Sequence, residues 1–275
     1  MPLALDSFPM HLFRASQERG WVPSAIDYSR ERAHWASLAE DERELLSRLI
    51  AGFRVGERGV THELAPLQQV LREEKRLDEE LYVTAQMFEE ARHVEFFERW
   101  LDAALPGVWG KDIPYPQLTG DLFNARLPEV MRALLTDPSP SSQVRAVVTY
   151  HFYVEGIGAE SGYPIYTEVF AKTGLLPALQ EGIALIRRDE ARHIAFGTYL
   201  LNRLINESRE AADAFEAELA ALEPFIDAGA AQTFAPFEGR AVPFGLDRAK
   251  FGALYRENFE IMRRAVYERQ LPAAV

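Results

Sequence analysis

The sequence contains the segment Glu-Ala-Arg-His twice, at positions 90–93 and 190–193, each within a strongly helical stretch. Residues three apart lie on the same face of an α-helix, so each segment can present one carboxylate and one imidazole to a metal ion. A single copy would more commonly belong to an ordinary solvated helix face. Two copies, joined by one glutamate from each of two further helices, predict a dimetal carboxylate site inside a four-helix bundle.

Apolar residues recur at helical spacing along most of the chain, and no segment indicates a β-sheet. The pattern predicts helices over about 41–71, 77–104, 121–136, 143–172, 177–206, 209–226 and 247–269. Residues 1–35 lack sustained periodicity and predict an irregular N-terminal wrap, whereas Pro114, Pro116 and Gly120 predict a loop. We expect one all-α domain over residues 1–275, with a four-helix bundle core at about 40–210 and additional peripheral helices.

Two further carboxylates are required, one on each bundle helix that lacks the repeat. On the first helix, Glu57 lies on the apolar stripe, whereas Glu63 lies off it. On the third helix, Glu155 shares its face with core residues and is preferred to Glu160. The chosen glutamates precede the repeats of their own halves by similar intervals, 33 and 35 positions. A pseudo-twofold bundle is therefore expected.

The predicted metal ligands are Glu57, Glu90, His93, Glu155, Glu190 and His193. Burial of four carboxylates without cations would be very costly, which favours a metal site over a plain core. Asp189 directly precedes the second repeat, where it can accept the N–H of a metal-bound histidine from a neighbouring helix. We predict this supporting role for Asp189.

Composition limits the chemistry and the partners. The chain has no cysteine, which excludes disulfides, Fe–S clusters and thiolate zinc sites, so a metal must be held by nitrogen and oxygen. The net charge of -12 argues against nucleic acid as a partner and against a basic membrane-binding face. No apolar run of about 18 residues predicts a transmembrane helix, and the N-terminus lacks a signal core. We expect a cytoplasmic protein.

The ligand pattern, with Asp189 before the second repeat, resembles the ribonucleotide reductase small-subunit superfamily of ferritin-like proteins over about residues 40–210. In ordinary small subunits a radical-forming tyrosine lies four residues after the first ligand histidine, and here that position is Phe97. The ligand-binding oxidases of this superfamily resemble the chain in three segments, GERGV at 56–60, YHFYVEG at 150–156 and AESGY at 159–163. In those oxidases, a valine and a tyrosine at the positions of Val60 and Tyr150 become covalently joined.

The resemblance implies a mixed manganese/iron centre, with manganese held by Glu57, Glu90 and His93 and iron held by Glu155, Glu190 and His193. A di-iron centre is the alternative. The resemblance also implies a long-chain fatty acid whose carboxylate reaches the metals. Oxygen activation at this centre would oxidise Val60 and Tyr150 to an ether crosslink. A homodimer and peripheral contact with lipid follow from the same resemblance.

Three other functions remain open. A radical-generating small subunit without the tyrosine would share the metals and Phe97. Such subunits normally have a C-terminal tail for electron transfer to a large subunit, whereas this sequence stops at Val275 with no tyrosine after Tyr267. A di-iron oxygenase or desaturase could use the same six ligands on a free substrate. Ferritin-like iron storage is disfavoured by the additional helices.

Overall fold

The computed structural model describes residues 3–107 and 117–268. Within these residues the chain forms helices and no β-strand, which confirms the predicted all-α class. The α-helices are α1 Phe8–Glu18, α2 Glu31–Ser37, α3 Glu40–Glu63, α4 Ala65–Glu73, α5 Leu77–Ala104, α6 Gln117–Asp121, α7 Leu127–Ala133, α8 Pro140–Val147, α9 Glu160–Thr173, α10 Pro177–Glu207, α11 Arg209–Phe234 and α12 Arg248–Glu268. Two π-helical segments, Leu122–Arg126 and Val148–Ala159, follow α6 and α8. None of the described helices combines the length and the apolar character needed to cross a lipid bilayer.

The bundle consists of α3, α5, α10 and a composite helix in which α8, the π-segment Val148–Ala159 and α9 follow one another. α3 packs along α5, and α10 packs along the composite helix and also against α5. α11 and α12 cover the composite helix and α10, whereas α1 and α2 lie against α5. This arrangement is the predicted four-helix core with peripheral helices.

The buried apolar side chains form two clusters, and each bundle helix passes from one to the other. On α5, Tyr82 and Val83 belong to one cluster, whereas Phe96 and Trp100 belong to the other. Positions 86–93 lie between them and include most of the buried polar residues of this helix. A layer of buried carboxylates and imidazoles therefore separates two apolar cores at the middle of the bundle.

Two predicted bundle helices are interrupted. The first ends at Glu63, and α4 starts two residues later, because Pro66 in the first turn of α4 lacks the N–H that would continue the hydrogen bonding. The third begins three residues earlier than predicted and is π-helical over Val148–Ala159. π-Helical segments are frequent at functional sites, and this segment contains two predicted site residues.

The N-terminal segment is not the irregular wrap that was predicted, since it contains α1 and α2. The Ser7 hydroxyl caps α1 by accepting the N–H of Met10 at 3.4 Å. Pro9 lies in the first turn of α1, where its missing N–H costs no helical hydrogen bond. The apolar periodicity of these short helices is not sustained along the sequence, because proline and glycine separate them.

Two further boundaries differ from prediction. Gly120 lies within α6 and not in a loop. α11 continues to Phe234 instead of ending near residue 226, with Pro224 inside it. The predicted loop residues Pro114 and Pro116 and the final residues 270–275 lie outside the described residues.

Candidate dimetal site

The six predicted ligands converge in the polar layer as two buried clusters. The first contains Glu57, Glu90, His93 and Glu190, and the second contains Glu90, Glu155, Glu190 and His193. Within each cluster, the candidate ligand atoms lie within 4.8 Å of one another. Because Glu90 and Glu190 belong to both clusters, these two carboxylates can each face two metal ions.

Both imidazoles turn Nδ1 toward the carboxylates. His93 Nδ1 lies 3.2 Å from Glu57 Oε2 and 3.3 Å from Glu190 Oε1. His193 Nδ1 lies 3.1 Å from Glu90 Oε1 and 3.5 Å from Glu190 Oε2. The two ring centroids are 6.0 Å apart. The rings therefore flank the carboxylates from two helices, as the duplicated segment predicts.

Burial shifts the pKa of most groups in the clusters, and the attraction between carboxylates and imidazoles acts against it. Burial raises the pKa of Glu57 to about 8, although the neighbouring His93 opposes this shift. Burial also raises the pKa of Glu155 well above its ordinary value. Burial alone would lower the pKa of His93 and His193, but the surrounding carboxylates raise both well above the usual range. Without a metal ion, protons must hold this cluster together, and divalent cations would displace them.

Several ligand atoms are buried without a hydrogen bond. One oxygen of each of Glu90, Glu155 and Glu190 has no hydrogen bond within the described part of the chain. A buried carboxylate oxygen without a partner is costly, and a cation is a partner that would satisfy all three. Carboxylate oxygens and imidazole nitrogens are ligands that suit manganese and iron. The residues present therefore fit a dimetal centre.

Each histidine is supported by an acid from the other repeat. His93 Nε2 donates to Asp189 Oδ2 at 3.3 Å, which is the contact predicted for Asp189. His193 Nε2 donates to Glu89 Oε2 at 2.9 Å. Such bonds fix the ring so that its other nitrogen faces the metal. Glu89 was missed in the sequence, although it precedes the first repeat just as Asp189 precedes the second.

Two arginines and the N-terminal segment complete this supporting layer. Arg92 and Arg192 each donate to both supporting acids, with two of these bonds at 2.6 Å, and both arginines are buried. Ser16 of α1 donates to Glu89 at 2.8 Å, and Trp21 Nε1 donates to the other acid at 2.6 Å. The charges of the two arginines offset those of the two acids, so this layer is neutral. Sequence periodicity could not show the contacts of Arg92 with Asp189, of Arg192 with Glu89, or those of Ser16 and Trp21, because each of these joins different elements.

Glu63 and Glu160, the glutamates that the apolar stripes disfavoured as ligands, lie outside the two clusters. Glu63 forms an ion pair with Arg132 of α7, and Glu160 pairs with Arg187 at 2.9 Å. Neither belongs to a described cluster of candidate ligands. The positions of these side chains agree with the choice of the two glutamates on the apolar stripes, whose role as ligands stays a prediction.

Val60 and Tyr150 lie beside the clusters in the same apolar core. Val60 is buried one helical turn after Glu57 on α3. Tyr150 is fully buried, and its hydroxyl donates to Glu90 Oε1 at 2.8 Å. Phe97, at the position of the radical-forming tyrosine, is also fully buried. The structure thus places a phenol in direct contact with a candidate ligand.

A cavity of about 160 Å³ adjoins the clusters. Glu57, Glu155 and Glu190 contribute to its wall, and most of the remaining wall is apolar or glycine. The hydroxyl of Tyr163, another wall residue, is buried and has no hydrogen-bond partner among the residues that the structure describes. No sequence pattern indicated this cavity, because its wall combines residues from α3, α6, α9, α10, α11, α12 and both π-segments.

Comparisons with known proteins agree with this geometry. The family model "Ribonucleotide reductase, small chain" matches residues 9–222. A solved structure described as an R2-like ligand-binding oxidase with an aerobically reconstituted metal cofactor after photoconversion is 29% identical, with a TM-score of 0.90 over 96% of this chain and 94% of the other. A second, with an aerobically reconstituted Mn/Fe cofactor, is 30% identical, with a TM-score of 0.87 over 96% of this chain and 94% of the other. The predicted resemblance is confirmed: the chain belongs to the ribonucleotide reductase small chain family and is similar over nearly its whole length to R2-like ligand-binding oxidases.

Proposed function

We propose that this protein is an oxygen-activating dimetal oxidase that carries a fatty-acid-like ligand and oxidises its own Val60–Tyr150 pair. The observation that carries the proposal is the pair of buried clusters that share Glu90 and Glu190. This arrangement suits two metal ions that share carboxylate ligands, and it lies beside a cavity able to admit a ligand.

The centre we propose contains manganese and iron. Manganese would be held by Glu57, Glu90 and His93, and iron by Glu155, Glu190 and His193. The ligand types suit both metals without selecting between them, so the assignment is supported by the resemblance and by the Mn/Fe cofactor of a structural neighbour. A di-iron centre is the alternative. When bound, the two metals would supply the oxidising power that dioxygen activation provides.

The proposed ligand is a long-chain fatty acid whose carboxylate lies at the metals. The cavity supports this proposal, because its apolar wall leads to three of the candidate metal ligands. The Tyr163 hydroxyl can donate a hydrogen bond to an oxygen of such a ligand, since it has no partner in the described chain. A carboxylate that reaches the metals would fill a coordination position and exclude water from it.

The proposed crosslink joins a Val60 carbon to the Tyr150 oxygen. The phenol and the aliphatic carbon each lose one hydrogen, and the two electrons and two protons released pass to dioxygen, whose reduction to water would take two further electrons from the metals. Burial and nearby carboxylates raise the pKa of Tyr150 well above its ordinary value, so the phenol keeps its proton until it is oxidised. Glu90, which accepts the hydrogen bond of this phenol, is then placed to receive the proton.

Peptide mass spectrometry tests the proposal. Trypsin should release residues 59–72 and 146–172, and protein assembled aerobically with manganese and iron should yield the two joined, with loss of two hydrogens. Metal-free protein and the Tyr150→Phe variant should yield only the separate peptides. If protein shown to hold both metals also gives only separate peptides, the crosslink is wrong and product analysis for a conventional dimetal oxygenase or desaturase comes next.

One observation favours a second candidate, the radical-generating small subunit without the tyrosine. Trp21, Asp189 and His93 form a hydrogen-bonded chain from the half-buried indole to a candidate ligand. Such a chain could carry an electron between the metals and the surface. Activity with a ribonucleotide reductase large subunit, abolished by Trp21→Phe, would support this candidate over the oxidase.

A further inference from the structure

The cavity follows one face of α3 for much of its length. The helix contributes Arg48, Leu49, Gly52, Phe53, Gly56, Glu57 and Val60 to the wall. These positions recur at spacings of one and three residues, which is the pattern of a single helical face. At a helical rise of 1.5 Å per residue, Glu57 and Arg48 lie about 13 Å apart along the axis. The wall on α3 therefore extends over at least this distance, with Arg48 at one end and Glu57 near the other.

The wall changes character along this direction. Beside Glu57, the carboxylates of Glu155 and Glu190 mark the metal end. The part of α3 between the two ends contributes only glycine and apolar side chains, including Gly52 and Phe53. Arg48 is the only cationic side chain among the described wall residues. A ligand with a purely apolar tail would fit the middle of the cavity but would leave the Arg48 guanidinium without a counter-ion.

Arg48 differs from the other arginines of α3. Arg54 and Arg58 both pair with Glu98 at 2.9 Å, and Arg43 donates to the carbonyl of Leu38 at 2.6 Å. Arg48 is half-buried, and over residues 3–107 and 117–268 it forms no ion pair. Its Nε atom is buried and has no hydrogen-bond partner there. A buried N–H without a partner is costly, and an anion in the cavity would satisfy it through a charge-assisted hydrogen bond.

We propose that the cavity selects an amphiphile with an anionic group at both ends, such as a medium-chain α,ω-dicarboxylate. One carboxylate lies at the metal end, and the second is bound by Arg48 about 13 Å or more away. The methylene chain between them packs against the glycine and apolar wall of α3. The contact of the first carboxylate with the metal end rests on the proposed function, whereas the contact of the second carboxylate depends on Arg48 alone.

Binding of a matched pair of probes tests this proposal. The affinities of dodecanedioate and dodecanoate are measured by calorimetry on the full-length, metal-loaded protein. The quantity of interest is the ratio of the two affinities, because it cancels effects on the shared carboxylate and chain. Arg48→Met keeps the length of the side chain and removes its charge. Arg54→Met is the matched control, since it removes a charge from the same helix outside the cavity wall.

The ratio in favour of dodecanedioate should fall about tenfold in Arg48→Met, as expected for the loss of one charge-assisted hydrogen-bonded contact. Arg54→Met should keep the wild-type ratio. An equal ratio in wild type and Arg48→Met would overturn the inference while leaving the fatty-acid proposal intact. If neither probe binds to protein that holds both metals, the proposed ligand is wrong, and this inference fails with it.

Discussion

The imidazoles of the two clusters depend on residues that never touch a metal position. Glu89 accepts from His193 and is itself held by Ser16 and Arg192, so its carboxylate has a fixed direction. Asp189 accepts from His93 in the same way, and Trp21 also donates a hydrogen bond to it. Mutation of an acid that orients a ligand in this way typically weakens metal binding by about 10- to 100-fold.

Glu89→Gln should weaken metal binding at the second cluster roughly 10- to 100-fold, since the amide is a poorer acceptor for the imidazole N–H. Metal content per chain and calorimetric titration measure the effect. Glu95→Gln is the control, because Glu95 lies on the same helix, half-exposed, and its ion pair among the described residues is with Arg99. Equal metal affinity in the two variants would contradict the supporting role of Glu89.

Metal affinity should rise with pH across the pKa of Glu57, about 8 in the metal-free protein. Below this pH a metal ion must displace the proton that burial keeps on Glu57, whereas above it no proton need leave this group. Calorimetric titrations of metal into the protein, in buffers of different ionisation enthalpy, would show that metal binding releases a proton below the pKa of Glu57. Glu63→Gln should keep the same profile, because Glu63 pairs with Arg132 away from the clusters. A flat profile in wild type would show that Glu57 does not bind metal.

At the residue level, periodicity carried the information on which glutamates face the core, while their role as ligands stays a prediction. The apolar stripes favoured Glu57 and Glu155, and the structure brings both into the clusters. Glu89 and the buried arginines were not recognised, since a charged residue on a helix is usually solvated and the partners that bury these side chains include residues of other helices. The repeat itself held the missing signal, as an acid precedes the Glu-Ala-Arg-His segment in both copies.

At the scale of elements, helix boundaries were predicted best where the apolar repeat was long. α5 spans Leu77–Ala104, as its pattern indicated. The π-helical course of Val148–Ala159 was not predicted, because a wider helical turn leaves no distinct mark on amphipathic spacing. The break after Glu63 was missed although Pro66 signalled it, since the apolar stripe continues across the break into α4.

The close approach of α5 and α10 depends on Gly182. A Cβ atom there would lie 2.0 Å from the ring of the buried Phe96, so Gly182→Ala should destabilise the protein by about 1–3 kcal/mol. Gly52→Ala is the control, because a Cβ atom at that position would have nothing within 4 Å. That change should be neutral or stabilise α3 by up to about 1 kcal/mol. Denaturant unfolding of the metal-free proteins measures both, and a similar result for the two would show that the helices can separate freely.

At the scale of the whole molecule, the polar layer makes stability depend on metal. Four buried carboxylates repel one another across the middle of the bundle, and a cation bound only by the folded state removes this repulsion. Metal at about 100 times its dissociation constant should stabilise the fold by roughly 2.7 kcal/mol, seen as a higher melting temperature that a chelator reverses. Glu190→Ala should lose most of this gain, whereas Glu160→Ala should keep it. A melting temperature unaffected by metal in wild type would contradict a dimetal site in this layer.

The reciprocal support of the two histidines bears on the ancestry of the chain. The imidazole of each repeat donates a hydrogen bond to an acid of the other repeat, so neither half alone contains a complete cluster with its supporting acid. A single helix pair carrying one acid-Glu-Ala-Arg-His segment would reach the same arrangement by pairing with a second copy of itself. The two repeats are thus related as the copies in such a pair would be, with the acid of each bound to the imidazole of the other. Fusion would then have allowed the halves to diverge, to Asp189 in one and Glu89 in the other, and so to make the two metal positions inequivalent.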